Sequence, residues 1–319
     1  MTENKEAEIK ELLPPPNFVQ RDLGADVHHI LDTYADFIAE AVDFGCKILF
    51  WEPKEDHDGS PVSPMFLRQF IEMLDGIEIL VRNGAAEITK AVVRSAFELN
   101  LYIHFLQEGD STKRNYSFLV LGAMDRIKYL EKLKPGNASG AEMSKHFKSE
   151  RIIVDVNDKI PIETIDAELQ KTKEYLEGPE FVPIIEEYER LKAQKKKNMK
   201  WYSLFGGADN IQNLAKMLNK YTYYEILYRE WSGTVHGSNI FNGKMQQSSD
   251  GNLAYYKIRL PAGLCFMSKM ACDLAINSFG YYVLNRHPGQ LDKYNIWQAD
   301  FMARYEAVLD HEHISINRE

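Results

Sequence analysis

An all-α fold is what the sequence predicts: a helical bundle with a charged helical insertion and at most one short β-hairpin. Three observations predict it. Apolar residues recur at the three-to-four spacing of a buried helical face in segment after segment. Ser, Pro and Gly fall where those segments start and stop. A single run alternates in the manner of a strand. Phe, Tyr and Trp number 16, 17 and 4, within a hydrophobic fraction of 45%, which is ample for a packed core. With 319 residues the chain exceeds a usual single domain of roughly 100 to 200 residues, so a bundle carrying a sizeable insertion is expected.

Residues 1–16 end in Pro14-Pro15-Pro16 and read as a flexible leader. The N-terminal part of the bundle is expected over 17–134. Its first helix, from Val27 to Phe50, carries Ile30, Tyr34, Phe37, Ile38, Ala41, Phe44 and Ile48 on one face. Ser63-Pro64 reads as an N-cap followed by proline at the first helical position, and Asn83-Gly84 as the stop of that helix. Ala85 to Leu106 is predicted as a central, heavily buried helix, and Lys113 to Leu133 as the next, ended by Pro135-Gly136.

Residues 135–200 are rich in Lys and Glu and are read as the insertion, with two exposed helices near 163–177 and 180–197. The C-terminal part of the bundle spans 201–319, with helices near 209–219 and 221–236. Asp250-Gly251 and the alternating run Ala254 to Leu260 predict the hairpin. Pro261 opens a long apolar helix to about Asn285. His287-Pro288-Gly289 then turns the chain into a final amphipathic helix over 293–309.

A net charge of −9 argues against a surface that coats nucleic acid nonspecifically. The local basic patch of Arg190, Lys192, Lys195, Lys196, Lys197 and Lys200 could still track an RNA backbone; its plainer reading is a solvated helix face. Cys46, Cys265 and Cys272 offer neither a disulfide framework nor a thiolate metal site. With no apolar signal segment and no membrane-length run, the expected location is the cytoplasm, away from membranes.

Two constellations could carry chemistry. On the central helix Arg94 and Glu98 stand one turn apart in an apolar stripe, where a charged pair must meet its desolvation cost through pairing. In YTYYEILYREWSGTVHGSNI, Arg229 and His236 are two turns apart, roughly 10 Å along an α-helix, with Ser232 between them on the same stripe. A histidine can move a proton near neutrality, and an arginine can hold two phosphoryl oxygens while negative charge builds. Cleavage of RNA by its neighbouring 2'-hydroxyl needs both. The structural alternatives are an internal salt bridge at Arg94 and Glu98, and His236 as the cationic cap of a helix ended by Gly237.

An arginine followed after four to six residues by a histidine near a helix end resembles the signature of the HEPN superfamily of all-helical nucleotide-binding and RNase proteins. The run Arg229 to His236 fits its longest spacing, and Arg94 with Glu98 matches an earlier Arg-x-x-x-Glu found in several members. Arg229 is followed by Glu230, where active members usually have a small polar residue. Arg94, Glu98, Ser232 and His236, with Tyr228 nearby, resemble more closely an uncharacterised bacterial family of the DUF5677 type. The motifs place the resemblance over roughly 63–134 and 200–285.

The resemblance implies a metal-independent endoribonuclease acting as a toxin or phage-defence effector. His236 would be general acid or base, Arg229 the phosphate ligand, Arg94 and Glu98 orienting groups, and Ser232 a hydrogen-bonding aid. RNA is the expected substrate, a homodimer the expected assembly, and an antitoxin or other protein a further partner. No cofactor is expected. The alternative is a non-enzymatic helical interaction module with a buried polar network. His28-His29 and Asp56-His57-Asp58 lack the ligand spacing of a metal site. Gly206-Gly207 lacks the context of a phosphate loop, and Ser232 that of an esterase elbow.

Overall fold

In a computed structural model, the structure describes residues 18–51, 60–134, 138–149, 162–194, 198–238, 244–247, 251 and 253–309. The leader falls outside them. The fold is all-α, as the periodicity predicts. Among the described residues, strand is confined to β1 (Met245–Gln247) and β2 (Leu253–Tyr255), an antiparallel pair with Gln246 opposite Ala254.

The chain opens with α1 (Ala25–Leu49), α2 (Val62–Arg82) and α3 (Ala86–Gln107). It continues through α4 (Ser111–Leu133), α5 (Ala138–Ser149), α6 (Ile162–Tyr175), α7 (Val182–Ala193) and α8 (Ile211–Met217). An irregular helix α9 follows, in three successive pieces: an α turn Tyr221–Tyr223, a π-helical stretch Tyr224–Arg229 and an α stretch Glu230–His236. After the hairpin come α10 (Leu264–Arg286), a 3-10 turn Pro288–Gln290 and α11 (Leu291–Leu309).

The described residues divide into two compact units. Those within Met1–His57, Ser63–Gln107 and Leu218–Glu319 form the first, and those within Asp58–Val62 and Glu108–Met217 the second.

In the first unit α10 is the axis, packed by α1, α3 and α11. It is buried over most of its circumference, from Leu264 through Ala271, Leu274 and Phe279 to Val283, and leaves Phe266, Asn277 and Leu284 on an exposed strip. Gly45 allows a close approach: a Cβ there would lie 2.6 Å from the Phe279 ring. Around it Phe44 stacks on Trp297 at 4.0 Å, and Trp297 leans on Phe301. On α1 the buried stripe is close to the predicted one, except that Leu31 takes the fully buried place and Ile30 is only partly covered.

Helix α2 ends where Asn83-Gly84 predicts. Gly84 adopts φ +70°, its N–H donates to Val81, and Ala85 N–H reaches back to Leu80, a Schellman closure. Its start differs from the prediction. Ser63 lies inside the helix with its hydroxyl buried, and it is the Ser60 hydroxyl that accepts the Val62 N–H at 3.3 Å. The predicted strand run also divides: Leu253–Tyr255 pairs within the hairpin, while Ile258 and Arg259 donate to the backbone of Phe18 and Val19.

The second unit forms around α4, capped by Asp110, whose carboxylate accepts the Lys113 N–H at 2.9 Å. Val120 and Leu121 of α4 pack on Phe181, Ile184, Leu191 and Leu204, and Leu130 and Leu133 pack on Ile165. Helices α6 and α7, expected to be exposed, thus bury narrow apolar stripes. A short stripe of three or four residues is hard to see against so many charges. Gly206-Gly207 is a tight turn: a Cβ on Gly207 would meet the Tyr202 carbonyl at 2.1 Å.

A polar seam crosses the core of the first unit. Asn100 on α3 donates to the Ser278 hydroxyl on α10 at 2.7 Å. One turn on, His104 stacks on Tyr281 at 4.1 Å, with Nε2 lacking a partner. Burial first, then the Lys220 ammonium, lowers the His104 pKa to about 3. Since the unfolded imidazole takes a proton near pH 6.5, the neutral side chain contributes stability that is whole above that pH. It is lost as pH falls from about 6.5 toward 3. His104→Gln is expected to flatten that loss relative to wild type, by up to about 1.4 kcal/mol per pH unit, in urea unfolding followed from pH 7 to pH 4.

Candidate functional site

Both constellations lie in the first unit, on α3 and α9, which pack together. Arg94 sits mid-helix on α3 with a side chain only 11% exposed, so its charge must be met within the fold. Three groups meet on it. Glu98, one turn on and 26% exposed, ion-pairs with its Nη1 at 3.3 Å. Its Nε donates to the Ser232 hydroxyl on α9 at 3.2 Å. Its guanidinium carbon lies 3.8 Å from the centre of the Tyr228 ring, a close cation–π contact. The Tyr228 hydroxyl closes the circuit by donating to Glu98. Burial, then the Glu98 carboxylate, raises the Tyr228 pKa, partly opposed by Arg94.

Arg94, Glu98 and Ser232 are therefore brought together, with Tyr228 completing the set. Sequence reasoning placed Ser232 on the stripe of Arg229 and His236; the structure turns it onto Arg94. Tyr228 precedes Ser232 by four residues, so both fall on the side of α9 that faces α3. That spacing was the available signal for Tyr228. Leu227 and Trp231, the next pair four apart, enter the core, where Trp231 meets Phe266 edge-on.

Arg229 points elsewhere. Its side chain is 69% exposed and its Nη1 pairs with Glu225, one turn back, at 2.8 Å. His236 is exposed as the last residue of α9, before Gly237 at φ +69°. The left-handed glycine ends the helix as the capping alternative foresaw. Two turns separate Arg229 from His236 along the α piece of the helix. The π-helical stretch ending at Arg229 carries neither Gly nor Pro, so it left no mark in the sequence. Such wide turns recur at functional sites.

Of the basic patch, Arg190 is paired with Glu187 and Lys192 with Glu189, each within α7. Lys195, Lys196 and Lys197 lie outside the described residues; Lys200 is exposed in the second unit. His28 accepts the Leu23 N–H through Nε2, and Asp56-His57-Asp58 lies outside the described residues. Among the described residues no group of three or more His, Cys, Asp or Glu is placed to hold a metal ion. None of their helices is long and apolar enough to cross a membrane.

The model of the family of unknown function DUF5677 matches residues 60–252, more than half of the chain, and so takes in all of these site residues. The match runs through the lysine-rich segment that the motifs alone left outside. No curated protein and no solved structure gives a significant match.

If the Arg94 knot fixes α9 on α3, Arg94→Ala should cost roughly 2 kcal/mol or more, because it strands Glu98 in a partly buried place. Ser232→Ala should cost about 1 kcal/mol. A double-mutant cycle by urea unfolding is expected to return a coupling of about 1 kcal/mol between them; strict additivity would deny the knot.

Proposed function

We propose, from the premise that the chain belongs to the DUF5677 family of unknown function, that α9 presents Arg229 and His236 as a metal-independent RNA-cleaving pair. Arg94, Glu98, Tyr228 and Ser232 then serve as positioning residues that fix the helix. The carrying observation is a division of labour. Arg94 spends its charge inside the fold, whereas Arg229 and His236 stand exposed, two turns apart on the helix that Arg94 locks in place.

In this reading the 2'-hydroxyl of RNA attacks the adjacent phosphorus as its proton leaves to a base. The 2'-oxygen–phosphorus bond forms, the bond to the 5'-oxygen breaks, and that oxygen takes a proton. His236 serves one of the two proton transfers, and Arg229 neutralises the charge building on the phosphoryl oxygens. The second transfer needs another group. The resemblance to HEPN ribonucleases suggests that a second copy of the chain supplies it, and extends the reading to a toxin or phage-defence effector held by an antitoxin or other partner. The pair with Glu225 is a solvent-screened surface contact within one helix, and a phosphate can displace it.

A second reading has its own support. The near-burial of Arg94 is what a purely structural polar network would show, and the exposed face of α9 would then be a docking surface of a non-enzymatic module.

Incubating the purified protein with total RNA and tRNA in EDTA separates the two. Wild type is expected to cleave, with His236→Ala reduced roughly 100-fold or more and Arg229→Ala by a comparable factor, both with unchanged melting temperatures. Glu225→Gln, which releases Arg229, should bind RNA more tightly. An absence of cleavage in every RNA pool would leave the interaction module as the reading.

A further inference from the structure

Two tyrosines of α9 meet α3 at a spacing that an α-helix does not provide. Tyr223 stacks on Phe97, with ring centres 6.4 Å apart and planes 17° from parallel, and Tyr228 lies under the Arg94 guanidinium at 3.8 Å. They are five residues apart. In an α-helix that spacing leaves side chains about 140° apart around the axis, whereas four residues leave only about 40°. The π-helical stretch Tyr224–Arg229 takes up the extra residue, and the Glu230 N–H donates five residues back to the Glu225 carbonyl.

The residues around that turn make the extra residue movable. Four before Tyr228 stands Tyr224. With the stretch wound as α, Tyr224 would take the place that Tyr223 now holds, so Phe97 meets a tyrosine ring in either winding. No residue from Tyr221 to Ile226 is fully buried, so a slip of that segment draws nothing out of the core. The holds at the two ends are unequal. On the C-terminal side the buried Arg94 engages both Tyr228 and Ser232. On the N-terminal side stand the ring contact of Tyr223 and an exposed bond, the Lys220 ammonium 3.4 Å from the Asn277 amide oxygen. Asn219, at φ +56° just before Lys220, bends the chain where a slip can be absorbed.

We propose that α9 is a two-register helix: the extra residue of the π-helical stretch passes out through the turn at Asn219, exchanging Tyr223 for Tyr224 on Phe97. In the second register Lys220 leaves Asn277 and moves about 100° around the axis, while the segment from Tyr228 to His236 stays under the Arg94 knot. The device does not depend on any chemistry at Arg229 and His236. It gives the helix that carries them a bistable end. A ligand that meets Lys220 in one register alone shifts the balance by its difference in affinity for the two.

A single fluorine on Phe97 tests this in the full chain. With Phe97 replaced by 4-fluorophenylalanine, the 19F resonance is expected to show two lines, or one line with an exchange contribution in relaxation dispersion on the microsecond-to-millisecond scale. Tyr224→Gln, which spoils the second register, should remove that exchange and leave the major line in place. Tyr223→Gln, which spoils the first, should move the line to the minor position. Deletion of Ile226 puts Tyr223 four residues before Tyr228 in an all-α helix, and should likewise leave one line without exchange. The two Gln substitutions decide even where the shortened chain does not fold. A wild-type line free of exchange, or exchange that survives Tyr224→Gln, overturns the two registers.

Discussion

The burial of one arginine governs how α3 and α9 meet in the first unit. A guanidinium cannot be left in a protein interior without partners, and Arg94 finds them in Glu98 on its own helix and in Ser232 and Tyr228 on another. Because the contacts to α9 come from two residues one turn apart, they fix its rotation as well as its distance from α3. Leu227 and Trp231 then fall into the core, and Arg229 is turned outward to Glu225. The exposed positions are a consequence of the buried ones.

The π-helical stretch belongs to the same constraint. Tyr224–Arg229 is where α9 serves the core through Leu227, the Arg94 knot through Tyr228 and the solvent face through Arg229, three consecutive residues. A widened turn redistributes those directions without a proline or glycine. It is held by the packing on either side, which is why residue preferences give no warning of it.

The sequence made the helices legible because their signals are local. Gly84 closes α2 through its own backbone, and Arg94 with Glu98 declares a polar pair within an otherwise apolar stripe. What it hid depends on neighbours far along the chain. Ser232 lies 138 residues from Arg94, and a helical wheel gives a direction around α9 without saying which helix stands there. Tyr228 stands only nearby in the sequence resemblance because its role, a ring face under a guanidinium, exists only once α3 is alongside. Ser63 reads as a cap because serine before proline usually is one; the helix begins two residues earlier, at Val62, and draws on Ser60 instead. The narrow stripes of α6 and α7 were masked by charge, although each needs only a few apolar residues when a helix as long as α4 lies beside it.

Two arginines of the same motif set thus end in opposite circumstances, and the difference decides what each can do. Arg94 is held by an ion pair, a hydrogen bond and an aromatic face in a place with little water, so exchanging those partners for a ligand would cost the fold its connection between α3 and α9. Arg229 is held by one carboxylate four residues away, in solvent, where water screens such a pair. A doubly hydrogen-bonded phosphate outcompetes that pair without disturbing anything beneath it. On the reading proposed above, chemistry on an anionic polymer falls to the weakly held arginine, and the strongly held one sets where it stands.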